Sequence, residues 1–547
     1  MNFLELIKVE SREVTNKILI YATISGLANA SILAIINTAA GSVTYNELNY
    51  KYLIMFVIAL AINIITQRYL FDKSSTIIER IVHGIRVRLT GKIRRAEMVD
   101  LDAIGKAEIY NRMTQQTSEV SQSAGVIIAA LQSAIMVSFS VMYLATISLW
   151  AFALTVIIVA IGFSIYLTKE KFIIQFIHKT NASEVKLFGA LTHLLDGFKE
   201  VKLSKDRSSD LSNHISTVAS EVRGHRVQTE RLYNWNYIFA QSFFYVLVAV
   251  MVFVLPRFIE ANADSVTEIA AVILFIIGPL STVVSGFPAY TKANIAVLDI
   301  NDLEKNLDHL NGRPHSFDES VERRISSFNS VALKGVEFSY YDVQKDTLFK
   351  TGPINLTIKK GETMFIVGGN GSGKSTLLKL LTGLYTPEKG KIEVDDLLIT
   401  GENVQEYREQ FSAIFSDFHL FDRLYGLKDW SKDQINSLIR EFQLDDKTSF
   451  VDGVFTNLNL STGQKKRIAM IVALLENRPI CVFDEWAADQ DPEFRRYFYY
   501  DLIPKLKQTG KTIIIVSHDD QYFNTADRVM RMDYGQLSAY SGHKNDQ

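Results

Sequence analysis

One cysteine in 547 residues excludes a disulfide scaffold and a multi-cysteine metal site. That residue, Cys481, lies in an apolar run and reads as packing rather than chemistry. Charge of one sign is missing too. The chain has 58 Lys+Arg against 60 Asp+Glu, a formal net charge of −2, with no sign of a basic nucleic-acid binder. With 48% hydrophobic and 22% charged residues, a disordered or collagen-like chain is excluded as well. The length has room for three or four average domains, or for one membrane domain and one soluble domain. The most informative absence is local: 18–40, 53–67, 126–167, 237–255 and 269–291 contain no Asp, Glu, Lys or Arg.

A helix needs about 20 mostly apolar residues to cross a bilayer. The stretch 126–167 is too long for one crossing and fits two, joined by a short turn near Ser148, Leu149 and Trp150. Six spans are therefore expected, at about 18–40, 53–71, 126–146, 149–168, 237–256 and 269–290, in a membrane domain covering 1–291. The segment 72–122 holds nine Lys/Arg and 168–235 holds eleven, whereas 41–52 and 256–268 hold only Lys51 and Arg257. Positive loops stay cytoplasmic, which puts both termini on that side. No cleavable signal peptide is apparent. The two long charged segments lack proline and read as helices continuing out of the membrane.

Uncharged polar residues such as Asn63, Gln132 and Ser285 dot the spans, and most read as helix–helix contacts. Pro279 and Pro288 interrupt the sixth span as possible kinks. No ionisable residue stands mid-span, as a proton-coupled carrier would usually need, so the energy is expected from elsewhere. Residues 292–329, with Gly312 and Pro314, have the composition of a linker.

From 330 to 547 the texture changes to short apolar strands and turns. Thr363 to Val367 runs into Gly368-Gly369-Asn370-Gly371-Ser372-Gly373-Lys374-Ser375-Thr376, then a helical pattern. This is the GxxxxGK[ST] phosphate loop in its strand–loop–helix setting. The glycines let backbone N–H groups curl round phosphates, Lys374 reaches the β- and γ-phosphates of ATP, and Ser375 offers its hydroxyl to Mg²⁺. About 110 residues on, the strand Ile480 to Phe483 delivers Asp484, a second Mg²⁺ ligand, and Glu485, a proton acceptor for attacking water. A third strand, Thr512 to Val516, ends in Ser517-His518, whose imidazole can bond the γ-phosphate and orient that water.

Between these elements, Leu460-Ser461-Thr462-Gly463-Gln464 resembles the signature motif of ABC ATPases. The whole chain resembles an ABC exporter half-transporter: an α-helical six-span transmembrane domain followed by an α/β P-loop ATPase domain. In that family two ATPase domains stack head to tail, each ATP held between one phosphate loop and the opposite Ser461, Gly463 and Gln464. One copy of each motif then implies a homodimer, or a heterodimer with a related chain. The resemblance also implies adenine stacking on Tyr340, with Tyr341 its near competitor, and a role across the dimer for Asp491. The glutamine the family has after Phe411 to Phe415 is missing; Ser416-Asp417 stand there, either of them a possible metal contact. Thr462 replaces a family glycine. With Glu485 and His518 intact, active hydrolysis is expected.

The words Trp486-Ala487-Ala488-Asp489-Gln490-Asp491 and the missing glutamine are similar to those of bacterial cyclic-peptide and siderophore-precursor exporters, the microcin, pyoverdine and syringomycin exporter-like group. The resemblance implies export of a mature cyclic, lasso or nonribosomal peptide across the bacterial inner membrane. Only 17 residues precede the first span, so no N-terminal cysteine peptidase is expected. Export of lipids or hydrophobic drugs stays open on the same engine, as does a membrane-anchored ATPase that transports nothing.

Overall fold

A computed structural model describes residues 2–41, 50–168, 170–257, 263–310, 325, 328–341, 347–427 and 430–540. They fall into two compact units, Met1–Ala96 with Asp100–Leu310, and Glu97–Val99 with Asn311–Gln547.

The first unit is helical. Its α-helices are α1 (Phe3–Gly41), α2 (Tyr50–Arg95), α3 (Met98–Ile104, whose first two residues are grouped with the second unit), α4 (Lys106–Asn111), α5 (Thr117–Ile147), α6 (Leu149–Thr168), α7 (Glu170–Asp196), α8 (Phe198–Leu203), α9 (Lys205–Ala249) and α10 (Ala263–Leu310). Among the described residues five stretches are long and apolar enough to cross a bilayer: Lys17–Ala39, Tyr50–Arg95, Glu108–Ile147, Lys205–Arg257 and Val266–Asp308. A shorter apolar helix, Leu149–Ile165, lies over the fourth expected span. The turn before it is shorter than three residues, since Ser148 alone separates α5 from α6.

The helices α2 and α10 have 46 and 48 residues. At 1.5 Å per residue each is about 70 Å long, more than twice the hydrocarbon thickness of a bilayer. Their charged ends are ordered by packing. Ile77, Ile81, Ile85 and Leu89 recur every four residues on one face of α2 and share a buried cluster with Ala293, Ala296, Ile300, Leu303 and Leu307 of α10. At its rim Arg88 Nε reaches Glu304 at 2.7 Å and Lys92 Nζ reaches Asp308 at 2.6 Å. Continuity of α10 to Leu310 also means that the segment from 292, whose composition is that of a linker, is helical for its first part. Residues 311–324 of that linker, with Gly312 and Pro314, lie outside the described residues. Pro279 and Pro288 both sit inside the helix.

Within the spans three buried polar residues serve each other. Gln132 Nε2 donates to Ser25 Oγ at 2.9 Å, and Ser25 Oγ donates to Asn63 Oδ1 at 3.0 Å, so one chain of bonds joins α5, α1 and α2. Gly286 lets α10 approach α5 closely; a Cβ there would lie 2.3 Å from that of Ala130.

The second unit is α/β. Its strands are β1 (Ser330–Tyr341), β2 (Thr347–Lys359), β3 (Thr363–Val367), β4 (Lys389–Val394), β5 (Leu397–Leu398), β6 (Phe411–Ile414), β7 (Phe450–Val451), β8 (Val454–Phe455), β9 (Ile480–Asp484), β10 (Thr512–Val516), β11 (Arg528–Asp533) and β12 (Gln536–Ala539). Its α-helices are α11 (Lys374–Leu381), α12 (Val404–Arg408), α13 (Lys432–Glu441), α14 (Thr462–Glu476), α15 (Pro492–Tyr497) and α16 (Ile503–Gln508). A six-stranded sheet has the order β12-β11-β3-β10-β9-β6, parallel but for its β12 edge. Strands β3, β9 and β10 are buried along their whole length, because continuous Val/Ile/Phe runs need cover on both faces. A smaller sheet, β2-β1-β4-β5, is antiparallel. Glu97, grouped with this unit, forms an ion pair with Arg408 at 3.2 Å.

Candidate functional site

The neighbours β3, β10 and β9 run parallel, with Val516 in register with Ile366 on one side and Asp484 on the other. Their C-terminal ends therefore collect three loops in one place, the usual position for a ligand on an open parallel sheet.

The first loop spans Gly368 to Gly373. A Cβ on Gly368 would lie 2.1 Å from the carbonyl oxygen of Met532, so only glycine lets the backbone pass there. Gly373 has φ 104° and caps α11 in the left-handed region. The curl leaves Gly369, Asn370 and Gly371 exposed and turns Lys374 inward. The Lys374 ammonium donates to the carbonyls of Gly368 and Gly369 at 2.9 and 3.0 Å. Ser372 Oγ is buried at the same loop with no hydrogen-bond partner. A buried cation, an unpartnered hydroxyl and the N-terminus of α11 make a cradle suited to phosphate.

The second loop follows β9. Ser375 Oγ donates to Asp484 Oδ2 at 3.2 Å, and the backbone N–H of Ser416 points at the same oxygen from 3.4 Å. Burial raises the Asp484 carboxyl above its ordinary range, and the bonds from Ser416 and Ser375 pull the other way. This is a hard oxygen pair of the type that suits Mg²⁺. Asp417 is exposed and makes no such bond; of the two substitutes for the missing glutamine, Ser416 is the one beside Asp484.

The third loop brings His518, whose Nε2 lies 3.3 Å from Glu485 Oε1. Glu485 holds φ 50°, a left-handed conformation that costs a non-glycine residue about 1–3 kcal/mol. Its N–H donates to Val516 O at 3.0 Å, and its carbonyl accepts from the Lys466 ammonium at 2.6 Å and from the Ala488 N–H at 3.4 Å.

Lys466 was not singled out from the sequence. It is 3% exposed, also pairs with Asp489 at 2.6 Å, and accepts the Trp486 indole N–H on its own carbonyl. Next to it, Arg467 bonds Gln490 Oε1 at 2.9 Å and Asp491 Oδ2 at 2.5 Å, and its guanidinium stacks 3.7 Å from the Phe494 ring centroid. The signal was there: Lys466, Arg467, Met470 and Ile471 share one helical face, and two of them are core residues.

Ser461 caps α14 and Gln464 closes the capping box, their bonds being 3.3 and 3.0 Å. Gly463 fits against the next loop so closely that a Cβ would be 2.3 Å from Asp489 O, and Gln490 Nε2 donates to its carbonyl at 3.1 Å. None of these bonds reaches the phosphate loop of the same chain. Asp491 caps α15 by accepting from Phe494 N–H at 2.8 Å; that bond and the Arg467 charge hold its carboxyl below the usual range. Tyr340 is half-buried in a ring cluster with Phe338 and Tyr385, its hydroxyl 3.4 Å from Thr376 Oγ1, while Tyr341 is exposed.

Comparison with known proteins follows the same division. The family described as ABC transporter matches residues 351–488, and that described as ABC transporter transmembrane region matches 15–283. The ATP-binding protein SyrD of Pseudomonas syringae pv. syringae is 34% identical over 533 residues, covering 94% of this chain and 92% of that one. The ATP-dependent lipid A-core flippase of Methylobacillus flagellatus is 23% identical over 483 residues, covering 85% and 80%. A bacterial Atm1-family ABC exporter solved with ATP bound has the same fold, with a TM-score of 0.77 over 96% of this chain and 94% of that one, at 17% identity.

Proposed function

The chain belongs to the ABC transporters, as an exporter half-transporter that couples ATP hydrolysis to transport, and from that premise we propose that its cargo is a mature peptide-like compound. We place it in the bacterial inner membrane with both termini cytoplasmic, as a homodimer or as one half of a heterodimer. The observation that carries the cargo reading is likeness to the SyrD protein across nearly the whole length, spans included, at 34% identity. A lipid cargo is the second reading, favoured by the flippase that also matches most of the chain.

The chemistry follows from the three loops. Backbone N–H groups from Gly371 to Thr376, with Lys374, hold the phosphates. Ser375 and Asp484, with Ser416 alongside, would hold Mg²⁺, which would supply neutralisation of phosphate charge. Glu485 accepts the proton of the attacking water, and His518 fixes its carboxylate at 3.3 Å. Tyr340 or Tyr341 stacks on adenine. Ser461, Gly463 and Gln464 complete the site of the other chain, since their own phosphate loop is out of their hydrogen-bonding reach. Asp491 carries the message between sites through Arg467.

The test is reconstitution of the full chain in lipid vesicles. Cyclic or lasso peptides should raise ATP hydrolysis and accumulate in inverted vesicles when ATP is supplied. Stimulation by lipids alone, with no peptide uptake, would transfer the assignment to the second reading.

A further inference from the structure

Arg495, in α15, sends its guanidinium to two loops of the ATPase unit at once. Its Nε donates to Ala487 O at 3.2 Å, and its Nη2 donates to Ala488 O at 3.2 Å and to Gln490 O at 3.3 Å. These three carbonyls belong to the turn that follows Glu485. From the other side Nη1 meets Asp519 Oδ1 at 3.5 Å. Asp519 is the residue after His518, so one planar fork spans the two loops that carry Glu485 and His518.

The second loop is pinned again from beneath. The hydroxyl of the buried Tyr499 lies 2.7 Å from Ser517 Oγ and donates to Asp519 Oδ2 at 3.4 Å. The Asp519 N–H donates to Ser517 Oγ at 3.0 Å. The Asp519 N–H, the Ser517 hydroxyl, the Tyr499 hydroxyl and the Asp519 carboxylate thus close a ring in which each hydrogen has an acceptor. Burial raises the Tyr499 hydroxyl above its ordinary range, which keeps its proton in place. The Tyr499 ring stacks on that of Tyr522, with centroids 4.2 Å apart, and leans on Phe365 of β3 at 5.9 Å, so it does not shift alone. His518 stands between the two pinned residues with its own ring 47% exposed. The backbone on either side of the ring therefore sets its 3.3 Å spacing from Glu485.

Resting on the roles given above to Glu485 and His518, we infer that Arg495 is a positioning residue for hydrolysis: through Asp519 it ties the His518 loop to the turn after Glu485 and so fixes the spacing of base and imidazole. Among the described residues neither Arg495 nor Asp519 bonds the phosphate loop. The contribution of the tie falls on the chemical step and not on ATP capture.

The test is steady-state hydrolysis against ATP concentration for the full chain in nanodiscs, with thermal melting alongside. Arg495→Met removes the fork, and Asp519→Ala removes its far anchor while leaving the three carbonyl bonds in place. Each should lower kcat about tenfold and keep the KM for ATP within about twofold, and the double variant should lie within about twofold of Arg495→Met. Arg495→Lys keeps the charge but lacks the fork; it should melt as wild type and still lose kcat about tenfold, and it replaces Arg495→Met where that variant does not fold. His518→Ala should lower kcat about 100-fold, and in that background Asp519→Ala should cost less than about twofold, since no imidazole is left to place. Losses that multiply in the double variant, or that persist in full beside His518→Ala, make Arg495 and Asp519 merely structural and overturn the inference. Normal hydrolysis by His518→Ala overturns the imidazole's role and the tie together. A slow His518→Ala beside normal Arg495 and Asp519 variants overturns the tie alone.

Discussion

Replacing Lys466 by Met should slow hydrolysis while leaving ATP affinity nearly untouched. Met keeps the length and apolar volume of the stem and removes the ammonium. Asp489 loses a partner but is 44% exposed and rehydrates, so that ion pair contributes at most about 1 kcal/mol. The carbonyl of Glu485 loses a charged donor at 2.6 Å, a bond typically worth about 1.5–3 kcal/mol. That is comparable with the cost of the left-handed backbone at Glu485, which then keeps the Val516 bond and a longer one from Ala488 at 3.4 Å. At about 1.4 kcal/mol per factor of ten, kcat should fall about 10–100-fold. The phosphate loop touches none of these atoms, so the KM for ATP should stay within about twofold. The lost bond also weakens the fold, and at about 2–4 °C per kcal/mol for a domain of this size the melting midpoint should fall by about 3–12 °C. Steady-state hydrolysis against ATP concentration, with thermal melting, gives all three numbers. An unchanged kcat refutes the positioning role, and a fall in kcat that tracks a collapsed midpoint reduces it to packing.

Glu485→Gln should cut turnover by about 10²–10⁴ and leave a long-lived, ATP-dependent association of ATPase domains, read by size-exclusion after ATP loading; normal hydrolysis removes Glu485 from its role. Ser416→Gln should hydrolyse ATP no faster than wild type, because the Ser416 backbone already meets Asp484 at 3.4 Å and a longer side chain competes for that space. A several-fold gain in hydrolysis and transport would mean that the missing glutamine is uncompensated. Asp417→Asn should leave the Mg²⁺ requirement unchanged, since that carboxylate is exposed and the bonds at Asp484 come from Ser375 and Ser416; a raised requirement would make it a ligand. A tethered pair of Lys374→Ala and Ser461→Arg chains concentrates both lesions in one site and should retain measurable hydrolysis, whereas complete loss argues against sites shared between chains.

Much of this was legible in sequence because the forces involved are local. A phosphate loop is contiguous, and its glycines are dictated by backbone approach at Gly368 and Gly373. Uncharged runs report spans because lipid tolerates little else. What stayed hidden depends on distance in sequence. Lys466, Arg467 and Gln490 look like ordinary polar residues until α14 is laid against the loop after β9, some 20 residues away. The pair Ser416-Asp417 could not be resolved by composition, since only the end of β6 decides which residue faces Asp484. Helical continuation to Leu310 was masked by Asp, Asn and Lys residues typical of linkers, which here solvate one face while Leu303 and Leu307 hold the other.

Ser148 has a mechanical consequence. Its N–H donates to Leu144 at 2.9 Å, its carbonyl accepts from Phe152 at 3.0 Å, and its hydroxyl accepts from Ala151 at 3.3 Å, so one residue finishes α5 and starts α6. Nothing is left over to act as slack. A swing of α6 must drag the end of α5 with it, and the pair travels as a single lever with its elbow at Ser148. The membrane half then has fewer independent moving parts than helices, and lengthening that elbow by a few glycines would uncouple the two arms without touching a single packed side chain.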